Sequence, residues 1–547
     1  MRNYIICIFL VMTIISISAQ ADEFYVHNRL GRDAYEGTAR EPGEKNSGPF
    51  RTIHRALKEA GAGDTIHLVP TDQPYRQTAN FYGHTGGEKN NPLVLNGHGV
   101  TLKGSDPVPA EGWKRWKDGV YTRGDIRPRG FMLVEGEMVF ATRNFNVLKP
   151  GEICHMPAWG GRLYLYPPRG EKASDCKVRV GMPDGSEKNL EPERWHHSHS
   201  KIGAVRRYPL RKRPEWVELN GEKVELVLAR DRLDPGAWSV HRGAVYYRPP
   251  EGKKLKELQI EFVVRGNGVQ ITGKTSHVVV KNINATKVYN DGYNIHGAAK
   301  DCRFYNCNAH DCGDEGFSAH DRCETFLDGA VYRNCSNGIA NVNTHGSSIT
   351  RNVTILESRA VGYLIQAHGN APGTVHHELE NAVFIDNPTQ INGSNITVRN
   401  VLIIKSPKSG KRGFRPIAAG RSLLVRNSTI TSGTIRVGKG KLRIEDSLVR
   451  SGFHVRADEP LDHLSLENVM FVGSAQMEWG SRYPWKRRPL KEWLALAKKN
   501  GAAKGCRVGD QSVLPEAIES RVLPEKLPEG GCDAHVWKRY YDMRPEN

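Results

Sequence analysis

Six stretches of the chain share one pattern: HVVVKNINA (277–285), DCRFYNCNA (301–309), TFLDGAVYR (325–333), SITRNVTIL (348–356), HELENAVFI (377–385) and ITVRNVLII (396–404). LLVRNSTIT (423–431), LRIEDSLVR (442–450) and LSLENVMFV (464–472) continue it. Each alternates apolar and polar residues, which is the period of a strand with one covered face. Each also carries a turn-forming residue at one shared position: Asn282, Asn306, Gly329, Asn352, Asn381, Asn400, Asn427, Asp446 and Asn468. The mean spacing is about 23 residues. A repeat this short cannot bury its apolar face alone and has to stack on its neighbours.

A second ladder runs in the same register. Gly268, Gly292, Gly316, Gly338 and Gly362 recur at nearly the same interval, and an apolar or aromatic residue follows each. The interval suits one coil of a solenoid in which short strands wrap an apolar core and equivalent residues stack about 4.8 Å apart. Leucine-rich repeats have a similar length, but their leucine pattern is absent and β-branched residues dominate. The expected fold class is therefore all-β: a right-handed, single-stranded parallel β-helix of the pectin-lyase-like kind.

Outside the repeats the chain reads as accessory structure. PFRTIHRALKEAGAGDTIHLVP (49–70) gives a short amphipathic helix over 52–60, a glycine stop and a first strand over 65–69. With PYRQT (74–78) and NPLVLNGHGVTLKGS (91–105) this segment resembles the entry into right-handed β-helix polysaccharide lyases and hydrolases. Residues 22–106 are thus expected to hold an N-terminal helical cap and the first coils. Between 107 and 264 a different repeat intrudes: FMLVEGEMVF, LKPGE and GRLYLYPPRGEK are echoed by WVELNGEKVEL, LDPGAW and GAVYYRPPEGKK. Two related β-hairpin units inserted as a subdomain are expected there. Coils occupy 265–474, and 475–547 forms a C-terminal cap or tail with one helix over 489–499.

The first 21 residues place Arg2 before an apolar run and end in small residues, as a secretory signal peptide does. The expectation is a secreted or periplasmic protein without a transmembrane segment, acting as a monomer. The formal charge of +18, with 78 Lys and Arg against 60 Asp and Glu, favours an anionic partner. For an exported protein that partner is an acidic or sulfated polysaccharide and not nucleic acid. Arg206, Arg207, Arg211, Lys212 and Arg213, interleaved with Tyr208 and Trp216, form a local basic stretch, and His196, His197 and His199 lie beside it. Of ten cysteines, Cys7 leaves with the signal; Cys154 with Cys176 and Cys506 with Cys532 are possible disulfides in an oxidising compartment. Cys307 occupies an inward position and is expected to be a free thiol.

Strand alternation selects the outward residues. Tyr293, Phe317, Ile295 and Ala319 point inward, Asn294, Ser318, His296 and His320 outward. The residue before each glycine gives the line Asn267, Asp291, Glu315, Asn337, Val361. Asp291 and Glu315 then stack on adjacent coils, with Asp314 beside them. Like charges one rung apart raise a carboxyl pKa, so one group can donate a proton while its neighbour stays ionised. A glycoside hydrolase needs such a pair.

The turns Asn290-Asp291-Gly292 and Gly313-Asp314-Glu315-Gly316, with the following Gly338 coil, resemble the acidic turns of the polygalacturonase family. The resemblance covers about 50 residues. It implies that Asp291, Asp314 and Glu315 protonate the leaving oxygen and activate water. Asn337 stands where that family has a histidine, and its Arg-x-Lys clamp has no counterpart. His320 or His345 would replace the first, and Lys281 or Arg351 the second. Asn290, Asn294, His296, Ser318, Asn337, His345 and Arg351 complete the expected substrate-binding set. Three functions follow: hydrolysis without a cofactor; β-elimination with Asp291, Asp314 and Glu315 holding Ca²⁺ and His320 or a basic residue as base; or a glycan-binding solenoid without catalysis.

Overall fold

A computed structural model describes residues 21–126, 128–156, 161–198, 203–342, 345–366, 375–406, 414–420, 422–438, 440–456, 462–473, 476–481, 484–509, 514, 518 and 531–543. The expected signal segment, except for its last residue Ala21, and His199 lie outside these residues.

The shared turn position is where the backbone does something that most residues resist. Asn282, Asn306, Asn352, Asn381, Asn400, Asn427, Asp446 and Asn468 all have φ between 45° and 57°, and Gly329 has φ of 72°. Asn, Asp and Gly tolerate this left-handed conformation best. It bends each long strand in mid-course, so that Val278–Thr286, Cys302–His310, Thr325–Arg333, Ser348–Leu356, His377–Ile385 and Ile396–Ile404 stack as parallel neighbours. The side-chain amides stack too. Asn306 donates to Asn282 at 3.2 Å, Asn381 to Asn352 at 3.3 Å and Asn400 to Asn381 at 2.8 Å.

The glycine ladder has a steric cause. A Cβ at Gly292 would lie 2.6 Å from the carbonyl oxygen of Gly316, and one at Gly316 equally close to that of Gly338. The same holds at Gly338 against Gly362. Each glycine leaves room for the next coil's carbonyl, so the ladder sustains itself.

These glycines open the strands of a second parallel sheet. Val269–Ile271, Tyr293–Ile295, Glu315–His320, Asn337–Val342, Val361–Gln366, Thr389–Gly393, Arg415–Ala419, Thr434–Val437, Gly452–Val455 and Gln476–Trp479 follow one another in order. The chain passes from one sheet to the other once per coil, and a continuous apolar core lies between them, including Val280, Phe304, Tyr293, Phe317, Ile339 and Tyr363. This is an all-β, parallel β-helix architecture. The helix Ile53–Glu59, capped by Thr52, and the helix Leu490–Lys499 contribute to the same core. The helix Ala534–Met543 lays Val536, Trp537 and Tyr540 against Val383, Ile385, Leu402 and Ile404 on the outside of the long-strand sheet.

The intruding segment leaves the solenoid at Ser105–Val108 and returns at Ile260–Val263, and these two strands pair antiparallel as a neck. Arg265 to Asp106 (2.7 Å) and Lys103 to Glu261 (2.8 Å) tie it on either side. Both echoes are hairpins: Phe131–Val134 with Glu137–Phe140 matches Trp216–Leu219 with Glu222–Val224, and Glu152–Met156 with Arg162–Tyr166 matches Trp238–His241 with Ala244–Tyr247. Among the described residues no helix is long and apolar enough to cross a membrane.

The disulfide expectation fails. Cys154, Cys176, Cys506 and Cys532 are all free and buried, as is Cys307. Cys154 and Cys176 belong to separate apolar clusters of the insertion, and Cys506 and Cys532 to separate clusters of the solenoid. Closeness in sequence did not bring either pair together.

Candidate functional site

The second sheet carries the acidic residues, and their positions follow from the register. Tyr293 pairs with Phe317 and Asn294 with Ser318; Glu315 pairs with Asn337, which pairs with Val361. Just before the strands, the Gly292 N–H donates to the Glu315 carbonyl at 3.0 Å. Asp291 and Glu315 are therefore neighbours on successive coils. One carboxylate oxygen each from Asp291, Asp314 and Glu315 can be chosen so that all three lie within 4.8 Å of one another.

The three are not equivalent. Asp291 is 1% exposed, against the expectation of an open outward position. Its carboxylate accepts the Glu315 backbone N–H (3.0 Å), the Asn290 amide (3.1 Å) and the Asn294 amide. Asn290 also donates to Asn267, whose carbonyl accepts the Asp291 N–H. Asp291 thus forms the floor of the site, held by amides from three coils. Glu315 and Asp314 are half-buried above it, and the Glu315 carboxylate accepts from Asn337 at 2.8 Å.

Burial raises the proton affinity of all three. Glu315 is pushed up to about 8, first by burial and then by the negative charge of Asp291. Asp314 rises to about 6 through burial and the charge of Glu315. Asp291 rises to about 6 through burial, opposed by its hydrogen bonds with Glu315 and Asn294. A neutral Glu315 beside ionised aspartates is the favoured state near neutral pH, which is the separation of roles that acid and base catalysis uses.

Arg359 is the cation that sequence reading missed. Its guanidinium donates to the carbonyls of Cys312 and Gly313, both at 2.7 Å, and to that of Asn334. It lowers the Asp314 carboxyl against the effect of burial. Gly313 makes room for this turn, since a Cβ there would meet the Tyr289 carbonyl and come within 3.3 Å of the Phe131 ring. The Arg359 guanidinium lies 5.3 Å from the centroid of Phe140. The insertion's hairpin 131–140 therefore packs against the turn that presents Asp314. Repeat position alone offered a weak signal for Arg359, which stands where the two preceding coils have Cys335 and Gly313.

The expected clamp residues lie elsewhere. Arg351 and Lys281 belong to the long-strand sheet, where Arg351 pairs with Glu380 at 3.1 Å. Both stand directly before an asparagine of the long-strand ladder, Asn282 and Asn352, and so on the other sheet from the carboxylates. His320 also needs correction as a partner of the carboxylates. It ends the strand that Glu315 begins, five residues on, so about 16 Å separates their backbones. There His320 stacks on His296 with ring centroids 3.9 Å apart, and its Nε2 is 2.8 Å from the Ser318 hydroxyl. Burial, then His296, lowers His320 to about 4, so the stacked rings are uncharged at neutral pH. His345 is exposed and donates its backbone N–H to the Asp321 carbonyl at 2.7 Å. Asn294 and Ser318 are buried beneath this surface. The sequence thus assigned to one site what the structure divides between the two ends of a strand. His196 and His197, in the insertion, are exposed and pair with Arg207 and Arg206 across a short antiparallel ladder.

Fold and site together define a parallel β-helix protein with a buried carboxylate cluster on one sheet. No family model matches the chain, and no curated protein matches it. Among solved structures it is similar to one described as a glycoside hydrolase, at 14% identity and a TM-score of 0.42, covering 90% of this chain and 96% of that one. It is also similar to XylC in complex with xylose, at 12% identity and a TM-score of 0.41, over 89% of this chain and 82% of that one. A rhamnogalacturonan lyase aligns at 10% identity and a TM-score of 0.29, over 80% and 84%. These likenesses are too loose to transfer a residue's role or a substrate.

Proposed function

We propose that the protein is a secreted enzyme that hydrolyses glycosidic bonds of an anionic polysaccharide, with Glu315 as the proton donor and the aspartates Asp314 and Asp291 as its ionised partners. The observation that carries this reading is the close triad with Glu315 raised to about 8 beside two carboxyls near 6. Glu315 gives its proton to the leaving oxygen. The negative charge of the aspartates stabilises the positive charge that develops at the sugar carbon. Asp314, the accessible partner, attacks the sugar carbon as the bond to the leaving oxygen breaks; water, giving its proton to the now ionised Glu315, then displaces Asp314 and releases the sugar, while Asp291 holds Glu315 in place from below. Oxygens this close resemble the roughly 5–5.5 Å spacing of double-displacement enzymes more than the roughly 6.5–9.5 Å that leaves room for an interposed water. Retention of anomeric configuration is the expected outcome, read by proton NMR of the first-formed product; inversion would remove the nucleophilic role.

The activity itself is tested by release of reducing ends from a panel of charged glycans. Glu315→Gln and Asp314→Asn should each lose about 10²–10⁴-fold in kcat. Equal activity in wild type and both variants would remove the assignment.

A second reading is supported by the same closeness, since three carboxylate oxygens could surround a Ca²⁺, which takes oxygen ligands at about 2.3–2.6 Å. In that case the reaction is β-elimination, and an unsaturated product absorbing in the ultraviolet appears and is abolished by chelator. The hydrogen bonds already accepted by Asp291 disfavour it, because a cation would have to displace the amides of Asn290 and Asn294.

A further inference from the structure

The sheet that bears the carboxylates continues for several coils beyond them, and its outward ladder changes character. Following Glu315 through its paired residues gives Asn337, Val361, Thr389 and then Arg415. The parallel line from Ser318 passes through Ala340, Leu364, Asn392 and Ala418 to Arg436, and then to His454 and Glu478. Ile435 and Val437, flanking Arg436, are fully buried in the core, so Arg436 faces outward. Arg456 follows on the next coil. At about 4.8 Å per rung, the arginines stand about 19–29 Å along the sheet from Glu315.

These arginines oppose one another. Arg436 is destabilised as a cation by burial and by the charges of Arg415 and Arg456. The Arg415 Nε is buried and has no hydrogen-bond partner among the described residues. Among the described residues no carboxylate lies within ion-pair distance of Arg415, Arg436 or Arg456. The nearby carboxylate, Glu478, pairs with Arg487 at 2.9 Å and with His454 at 3.5 Å. Like charges brought together with no carboxylate among the described residues to pair with cost stability, so their arrangement points to a ligand that supplies negative charge.

We infer that Arg415, Arg436 and Arg456 form an anion subsite on the catalytic sheet, reading a carboxylate or sulfate of a glycan chain several sugars away from the bond at Glu315. The inference rests on the glycan-active reading and specifies its substrate as a chain long enough to bridge both places. It gives the sheet a direction, with chemistry at one end and charge recognition at the other.

Binding is measured without turnover, in the Glu315→Gln background, by affinity electrophoresis in gels containing polygalacturonate, dextran sulfate or neutral dextran. Retardation by at least one charged polymer and none by neutral dextran is expected, and the polymer that retards identifies carboxylate or sulfate. Adding Arg436→Gln, or the more exposed Arg456→Gln, should weaken that affinity about tenfold, the loss of one charge-assisted contact. Arg436→Lys, which keeps the charge, should recover most of it. Unchanged retardation in both glutamine variants, or equal retardation by neutral dextran, overturns the subsite. Wild-type cleavage is scored separately: charged-polymer binding that depends on the arginines without any cleavage removes the hydrolase and leaves the subsite, whereas cleavage with arginine-independent binding removes the subsite alone.

Discussion

Glu315 shows how one residue can be costly to the fold and useful to the chemistry. Its folded-state carboxyl is raised to about 8 and those of Asp291 and Asp314 to about 6, above the value near 4 of an unfolded chain. Folded groups that hold protons more tightly than unfolded ones favour folding at low pH. Their contribution is fully present below about pH 4 and is lost as pH rises through about 6 for the aspartates and about 8 for Glu315. Glu315→Gln should therefore raise the Tm at pH 8–9 more than at pH 4, as a thermal melt at the two pH values would show, although it lowers activity. The same shifts predict a bell-shaped kcat/KM profile, rising as an aspartate ionises near pH 6 and falling as Glu315 loses its proton near pH 8. In Glu315→Gln the alkaline limb should vanish from whatever activity remains. The acidic line was legible in the sequence because Asp291 and Glu315 keep the glycine register. That Asp291 sits under amides and Asp314 beside Arg359 was not, because neither alternation nor spacing reports what covers a side chain.

At the scale of elements, the two ladders do different work. The asparagines supply the bend of each long strand and bond to one another from coil to coil, so Asn352→Ala loses both a favourable left-handed residue and its bonds to Asp328 (2.7 Å) and Asn381 (3.3 Å). A loss of about 1–3 kcal/mol is expected in urea unfolding, and Asn352→Gly should lose less because glycine accepts the bend. The glycines act by absence. Gly316→Ala would drive a methyl group against the Gly338 carbonyl and the Tyr332 ring, and it should lower both stability and activity because Glu315 is its neighbour. Both ladders were readable because a solenoid places equal sequence intervals at equal positions in space. The assignment of Arg351 to the site failed against that same register: Arg351 stands directly before Asn352 of the long-strand ladder, and so on the other sheet from the carboxylates.

On the scale of the whole molecule, the insertion is fastened where it bears on the site. Lys287 bonds to Asp311 at 2.7 Å and to the Gly136 carbonyl of the hairpin at 3.1 Å, while Asn334 reaches Asp311 at 2.6 Å. Asp311 is held well below the usual carboxylate range by His310, Lys287 and Asn334 despite burial, so this clasp is present at neutral pH and loosens as acid protonates Asp311. Lys287→Ala should cost about 1–2 kcal/mol and raise KM more than it lowers kcat, since it frees the hairpin 131–140 without touching the carboxylates. Proteolysis of the hairpin at neutral pH, faster in the variant than in wild type, checks the mechanism.

The sequence alone determined the coil length, the stacking of Asp291 on Glu315 and the doubled hairpins of the insertion, because each is a periodic property carried by neighbours along the chain. Tertiary structure decided which carboxyl is covered, that Arg359 and the hairpin close the acidic turn, that the histidines stand apart from the carboxylates, and that the cysteines stay unpaired. Those outcomes depend on contacts between segments far apart in the chain, and burial and electrostatic fields exist only once such contacts form.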